Sequence, residues 1–252
     1  VPPLPEQQKI AEILSTWDLA ISTTNNLIEE IKLRNKGLAQ QLLTGKKRLK
    51  GFEGEWEEYK ISDLFELANR HINWNENDSY NLVSIRRRYG GIFFRGSFLA
   101  RDIKVKKLKK ISADDFLISK RQVSHGAWAV VPKDFDGFLV SDEYDCLRIK
   151  SQAILNSNFW SYFIKQSHMS WYAFLDSIGV HIEKLIFHFR QFKKRIVKIP
   201  SLDEQVAIAS VLSEAGKELK LHQQQLDNLK EQKKGLMQKL LTGEIRVKTK
   251  EN

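Results

Sequence analysis

The sequence lacks several features on which whole classes of protein depend. It has one cysteine, Cys146, so no intrachain disulfide can form and a reducing compartment, the cytoplasm, is predicted. No run approaches the ~18 consecutive apolar residues of a membrane-spanning helix. The first residues have neither the basic lead nor the apolar stretch of a secretory signal. We therefore expect a cytoplasmic protein with no membrane partner.

Catalytic and metal-binding motifs are missing too. The sequence has no G-x-x-x-x-G-K-[ST] loop, no G-x-G-x-x-G turn, no paired cysteines and no H-E-x-x-H. Its acidic pairs, Asp114-Asp115 and Asp142-Glu143, fit solvated turns more readily than an acid–base dyad. We predict that this chain has no catalytic residue, no metal site and no cofactor.

What the sequence does have is a long internal repeat. Residues 4–45 and 202–243 share L-[PD]-E-Q, I-A, L-S, G-L-x-Q and L-L-T-G at a constant offset of 198 residues. Because the offset never changes, neither copy has gained or lost a residue. A repeat of this length indicates one structural module used twice.

Each copy is predicted to be one long helix of a coiled coil. Apolar residues recur at alternating steps of four and three, which is the pattern of a coiled-coil seam. Asn35 and Lys233 are polar residues at the same seam position of the two copies, where they would fix register. The two helices flank a middle region, so they can pair antiparallel within one chain. The seam residues are Ile10, Leu14, Trp17, Ile21, Ile28, Ile31, Leu38 and Leu42, then Ile208, Leu212, Leu219, Leu226, Leu229, Leu236 and Leu240.

The middle region, residues 49–200, shows the short apolar runs of β-strands. Residues 82–85, 91–94, 116–119, 127–131, 137–140, 146–149 and 196–200 are predicted strands, 61–67 a short helix, and 155–175 a helical segment. The predicted fold class is α+β: one mixed α/β domain flanked by two long helices that form an antiparallel coiled coil. The predicted domains are 1–48, 49–200 and 201–246, with a polar tail at 247–252.

The positive charge is concentrated in the middle region. Of the net charge of +10, residues 49–198 carry +7, whereas the flanking segments carry +2 and +1. Such an excess favours a polyanionic partner, usually nucleic acid. Arginine and glutamine can read base edges and lysine suits phosphates. The predicted contacts are Arg86, Arg87, Arg88, Tyr89, Lys106, Lys107, Lys109, Lys120, Arg121, Gln122, Ser124 and His125.

The pattern resembles the DNA-specificity subunits of type I restriction–modification systems. The resemblance rests on P-[PS]-L-[PD]-E-Q-x-x-I-A at both helix starts and L-[AM]-Q-x-L-L-T-G at both helix ends. Gly51-Phe52, Gly54-Glu55-Trp56 and Asp115–Lys120 add to it. It covers essentially the whole chain. Because that family's subunits usually hold two recognition domains, a chain with one resembles a half-length form.

The resemblance implies a non-catalytic subunit that reads half of a split double-stranded DNA target. It also implies that the helices dock methyltransferase (modification) subunits, with restriction subunits as further partners. S-adenosylmethionine, ATP and Mg would belong to those partners. It adds Ser177 and His181 as DNA contacts in a turn before the last strand. A homodimer and a separately supplied N-terminal recognition domain both remain open. So does the alternative of a structural coiled-coil protein whose globular domain binds another protein.

Overall fold

The computed structural model describes residues 2–181 and 184–248. The end of the predicted polar tail, residues 249–252, lies outside the described residues. The helices are α1 Leu4–Leu43, α2 Ile61–Leu64, α3 Ser157–Phe163, α4 Ser167–Leu175, α5 Phe189–Phe192 and α6 Leu202–Thr242. The strands are β1 Glu57–Lys60, β2 Phe65–Leu67, β3 Ser79–Ile85, β4 Ile92–Leu99, β5 Leu108–Lys110, β6 Phe116–Ser119, β7 Trp128–Val130, β8 Leu139–Ser141, β9 Tyr144–Ile149, β10 Ser177–Ile178, β11 Ile186–Phe187 and β12 Ile196–Ile199.

The two predicted long helices are confirmed as α1 and α6, of 40 and 41 residues. At ~1.5 Å per residue each is about 60 Å long. Gly45 and Gly243 follow them with φ of 70° and 78°, the left-handed conformation that commonly ends a helix. No helix among the described residues is both long and apolar enough to cross a membrane.

The chain divides into two compact units: residues up to Ala39 with those from Val211 onward, and Gln40–Ser210. The second unit thus holds the predicted middle domain together with the end of α1 and the start of α6.

In the first unit α1 and α6 run antiparallel. Lys233 Nζ lies 2.5 Å from Asp18 Oδ1, and Arg34 pairs with Glu218. Asn35 Nδ2 donates to the carbonyl oxygen of Ala215 at 2.8 Å. Both polar seam residues therefore make a contact between the helices, as a register-setting role requires. All the predicted seam residues are buried or half-buried, which confirms the antiparallel coiled coil.

The second unit contains two four-stranded sheets, ordered β2-β9-β6-β7 and β4-β3-β8-β5. They share one apolar core, to which Val83 and Val140 come from one sheet and Leu117 and Cys146 from the other. Two small antiparallel pairs, β1 with β12 and β10 with β11, complete the unit. The mixed α/β character predicted for this region is confirmed.

Two local predictions need correction. The helix predicted at 61–67 is only the single turn α2, because Phe65 leaves the helix to pair with Ile149 as the first residue of β2. The helical segment predicted at 155–175 is two helices, α3 and α4, separated by a break at residues 164–166.

Candidate nucleic-acid interface

The loop that follows β6 carries five of the predicted contacts, residues 120–125. It contains one turn of 3-10 helix at Val123–His125 and ends at Gly126, whose φ is 72°. Lys120 N–H donates to the carbonyl oxygen of Glu143 at 3.0 Å, and Phe187 N–H donates to that of Lys120 at 2.8 Å. The loop is therefore held by the turn between β8 and β9 on one side and by β11 on the other.

The arginine-rich turn between β3 and β4 lies directly against this loop. Arg88 N–H donates to the carbonyl oxygen of His125 at 2.7 Å, and Tyr89 N–H donates to that of Gly126 at 3.0 Å. Although the two segments lie more than thirty residues apart in sequence, the fold brings them together. Arg86, Arg87 and Arg88 are all exposed.

The lysine-rich segment before β5 reaches the same region through the turn between β8 and β9. Asp142 N–H donates to the carbonyl oxygen of Lys107 at 3.2 Å, while the next residue, Glu143, holds Lys120. Lys106 and Lys107 are exposed, and Lys106 also lies 3.3 Å from Glu76. The acidic turn thus contacts the lysine-rich segment and the β6 loop, and the β6 loop in turn contacts the arginine-rich turn.

Lys109 differs from its neighbours because it is only 5% exposed. Its Nζ lies 2.7 Å from Asp142 Oδ1 and donates to the carbonyl oxygen of Tyr144 at 3.1 Å. Its hydrogen bond holds the pKa of the Asp142 carboxyl below its usual range, against the desolvation that raises it. Lys109 therefore has a structural role here, and the phosphate contact predicted for it would require this pair to break.

The readout residues predicted in the β6 loop are partly engaged. Arg121 Nε donates to Glu143 Oε2 at 2.5 Å, with both side chains more than half exposed, so the pair is open to exchange for DNA. Gln122 Oε1 and Ser124 Oγ are buried, and no described protein atom hydrogen-bonds them. For Gln122 to read adenine with both amide atoms, the side chain must rotate outwards.

Ser177 and His181 lie on the hairpin that β10 and β11 form. Ser177 Oγ donates to the carbonyl oxygen of Ala173 at 2.7 Å, which ties it to α4, and His181 is exposed. Since Phe187 of β11 hydrogen-bonds Lys120, this hairpin adjoins the β6 loop. The fold therefore gathers the predicted segments into one region of the second unit.

Sequence reasoning missed three residues of this region. Glu143 pairs with Arg121, Ser170 of α4 hydrogen-bonds the Tyr89 hydroxyl, and Gly126 packs beneath the Tyr89 ring. The pair Asp142-Glu143 is visible in the sequence as an acidic turn, but its basic partners are more than twenty residues away, and nothing in the sequence points to Ser170. No group of three or more His, Cys, Asp or Glu residues suited to a metal ion occurs among the described residues.

A family model described as the type I restriction modification DNA specificity domain matches residues 1–33 and 53–231. The chain belongs to this family. The resemblance seen in the sequence repeat is thereby confirmed, and the match covers most of each long helix and nearly all of the region between them.

Two curated relatives of this specificity-domain chain come from Methanocaldococcus jannaschii. The type I restriction enzyme MjaVIII specificity subunit is 26% identical over 98% of the chain and 62% of its own length. The putative MjaX specificity subunit is 25% identical over 99% of the chain and 59% of its own length. The chain therefore spans about three fifths of these relatives.

Solved structures show the same fold. The type I restriction–modification S subunit from M. genitalium superposes with a TM-score of 0.56 at 15% identity, over 93% of this chain and 60% of that one. The HsdS subunit from Thermoanaerobacter tengcongensis superposes with a TM-score of 0.54 at 14% identity, over 97% of this chain and 60% of that one.

Proposed function

We propose that this chain is a non-catalytic DNA-binding subunit of a type I restriction–modification complex, in which its second unit reads one half of a split target. The convergence of the Arg86–Tyr89 turn, the Lys106–Lys107 segment and the Lys120–His125 loop carries this proposal. Arginine, glutamine and lysine in one region combine groups that read bases with groups that bind phosphate. Methyl transfer from S-adenosylmethionine, and ATP- and Mg-dependent cleavage, would be supplied by partner subunits.

The two ends of the helix pair support a split target, because they repeat each other in detail. Arg48 Nε and Nη2 donate to the two carboxylate oxygens of Glu204 at 2.5 and 2.6 Å. Arg246 donates to Glu6 through the same two nitrogens at 2.7 and 2.6 Å. Both pairs are related by the offset of 198 residues. One ion-pair geometry thus occurs at each end.

Gln205, beside the first of these pairs, connects the start of α6 to the rest of the second unit. Its side chain is fully buried; Oε1 accepts from Asn156 N–H at 2.9 Å and Nε2 donates to the carbonyl oxygens of Ile154 and Pro200 at 2.8 and 2.9 Å. Leu43 is also buried there, and its carbonyl oxygen accepts from Gln166 at 3.0 Å.

The other end has the same groups without that attachment. Gln7 Nε2 donates to the carbonyl oxygen of Pro2 at 2.8 Å, the counterpart of the bond to Pro200, but Gln7 is exposed. Leu241, the counterpart of Leu43, is 66% exposed. This end therefore fits a second recognition domain. That domain would come from another chain or from sequence outside the present one.

The helices also offer a surface for partner subunits. Leu19 and Leu33 of α1 are 69% and 72% exposed, and they lie two heptads apart on one face away from the seam. Two leucines this exposed on one helix face fit a protein partner better than water. We propose that methyltransferase subunits dock along this face, with restriction subunits joining the complex through them.

The test is to purify the chain with its modification subunits, methylate random-sequence DNA and map the modified positions. We expect two short conserved blocks separated by a spacer of fixed length. Modification without a shared sequence would contradict DNA specificity, and one contiguous block would contradict a second domain supplied by another copy of this chain. Because both copies in a homodimer carry Gln7, Gln7→Ala should weaken recognition of the paired blocks together, whereas Gln205→Ala should disturb the base preference within each block. A palindromic pair of blocks would indicate a homodimer.

One observation favours the alternative, a globular unit that binds another protein. Trp171, Phe174, Leu175 and Ile178 lie close in sequence on α4 and β10, and all are at least 41% exposed. The two functions differ in their response to salt. Phosphate contacts release counterions, so DNA binding should weaken steeply as salt rises, whereas apolar protein binding should not.

A further inference from the structure

Tyr89 contacts three separate segments of the second unit. Its own turn connects β3 to β4, its N–H donates to the carbonyl oxygen of Gly126 in the β6 loop at 3.0 Å, and its hydroxyl hydrogen-bonds Ser170 Oγ of α4. The first two segments extend from different four-stranded sheets. Tyr89 therefore links the two sheets at the side where the basic segments meet.

The backbone of this turn is in an uncommon conformation. Arg88 and Tyr89 both have φ of 56°, in the left-handed region that costs a non-glycine residue about 1 kcal/mol or more. The conformation aims both N–H groups at the β6 loop, where they bind the carbonyl oxygens of His125 and Gly126. Strain of this kind persists where surrounding contacts require it.

The β6 loop is shaped to receive the Tyr89 ring. A Cβ atom added at Gly126 would lie 3.2 Å from Cζ of Tyr89, closer than ordinary contact. With φ of 72°, Gly126 is also in a conformation that side chains rarely adopt. The Tyr89 ring therefore keeps its position only because residue 126 is a glycine.

We propose that Tyr89 is a positioning residue for sequence recognition and not itself a DNA contact. It fixes the Arg86–Arg88 turn relative to the Lys120–Gln122 loop, so that side chains from two sheets meet one DNA sequence in register. This inference rests on the proposed function. It assigns Tyr89 a different role from the direct contact that the sequence predicted.

The physical consequence is a separation of specificity from affinity. Base recognition depends on hydrogen-bond geometry within a few tenths of an ångström. Phosphate attraction acts over several ångströms and tolerates displacement of the charges. Loosening the turn should therefore reduce discrimination between target and mismatched DNA while the salt dependence of binding stays unchanged.

The experiment compares Tyr89→Phe, Ser170→Ala, their double variant and Tyr89→Ala in the full chain, assembled with its modification subunits. Affinities for target and mismatched duplexes are measured over a salt series. Each single conservative variant should reduce discrimination by about fivefold, the equivalent of one neutral hydrogen bond. The double variant should reduce it no further, because both changes break the same bond. Tyr89→Ala should reduce it by about tenfold or more, as when a bidentate base contact is lost.

Tyr59→Phe is the matched control, because it removes the hydroxyl that lies 2.5 Å from Glu57 Oε2 on β1, outside the basic region. Discrimination should not change in this variant. Full discrimination by both Tyr89→Phe and Ser170→Ala would overturn the positioning role. A lower salt slope in the Tyr89 variants would instead show a direct phosphate contact. A wild-type complex with no discrimination would refute the proposed function itself, and the inference with it.

Discussion

Lys107 and Lys109 lie two residues apart, yet the structure predicts opposite effects when each is neutralised. Lys107 is exposed, whereas Lys109 is buried against Asp142 and the carbonyl oxygen of Tyr144. Lys107→Gln should weaken DNA binding without altering stability. Lys109→Gln should lower stability and leave the salt dependence of DNA binding unchanged.

The size of the Lys107 effect follows from counterion release. One phosphate contact contributes about 0.9 to the slope of log affinity against log salt. Between 50 and 200 mM salt, the wild-type affinity should therefore fall about 3.5-fold more than that of Lys107→Gln. Fluorescence anisotropy with a labelled duplex at four or more salt concentrations would measure this difference.

For Lys109, a broken charge-assisted hydrogen bond costs about 1–3 kcal/mol. Because the Asp142 side chain is 46% exposed and stays hydrated, the lower end applies. At roughly 2–4 °C per kcal/mol for a chain of this size, Tm should fall by a few degrees.

The pH dependence of this Tm difference is a further check. The pKa of Asp142 is lowered in the folded state, so the pair stabilises the protein above the unfolded value of about 3.9. That stability is lost as pH falls through the folded pKa. The Tm difference between wild type and Lys109→Gln should therefore shrink below about pH 4. A reduced salt slope in Lys109→Gln with unchanged Tm would refute the reasoning.

Three further predictions concern an ion pair, the β6 loop and the buried cysteine. Arg48→Ala should lower the free energy of unfolding by about 3 kcal/mol in urea titrations, because Glu204 is 1% exposed and would be left buried and unpaired. Arg246→Ala should have a smaller effect because Glu6, although only 6% exposed, keeps the hydrogen bond from Val247 N–H; equal effects would contradict the argument. Arg121→Ala and Gln122→Ala should each relax preference at one base pair by about 1–3 kcal/mol in competition binding, whereas uniform weakening on all sequences would assign them to phosphate. Burial raises the pKa of the Cys146 thiol to about 12, so a thiol reagent at pH 8 should react only with unfolded chain, and rapid native-state labelling would disprove this.

The sequence predicted the long helices and the inner strands well because each carries its own signal. The helix repeat holds its register over 40 residues, and strand β6 lies at the predicted residues, all of them buried. Strand β1, with the sequence EEYK, has no apolar signature. It forms because Glu57 and Tyr59 pair with Ile199 and Val197, which are 142 and 138 residues away. Such long-range pairing cannot be read from a local window.

The candidate interface was predicted as separate segments, and their convergence came from the fold. Arg88 and His125 were predicted as DNA contacts on independent grounds, and the hydrogen bond between them depends on how two sheets pack. Lys109 shows the opposite case. A run of lysines predicts a uniform basic surface, but Lys109 is buried within β5, where it meets Asp142.

The repeat has consequences that neither copy has alone. Because the two helices run antiparallel with a constant offset, a contact between one residue of each can recur at the other end, as Arg48–Glu204 and Arg246–Glu6 do. The two ends differ in the environment of this glutamine: Gln205 is buried and makes three hydrogen bonds, whereas Gln7 is exposed. Under the proposed function, Gln7 would make such hydrogen bonds to the partner domain, and losing them would then cost about 1–3 kcal/mol.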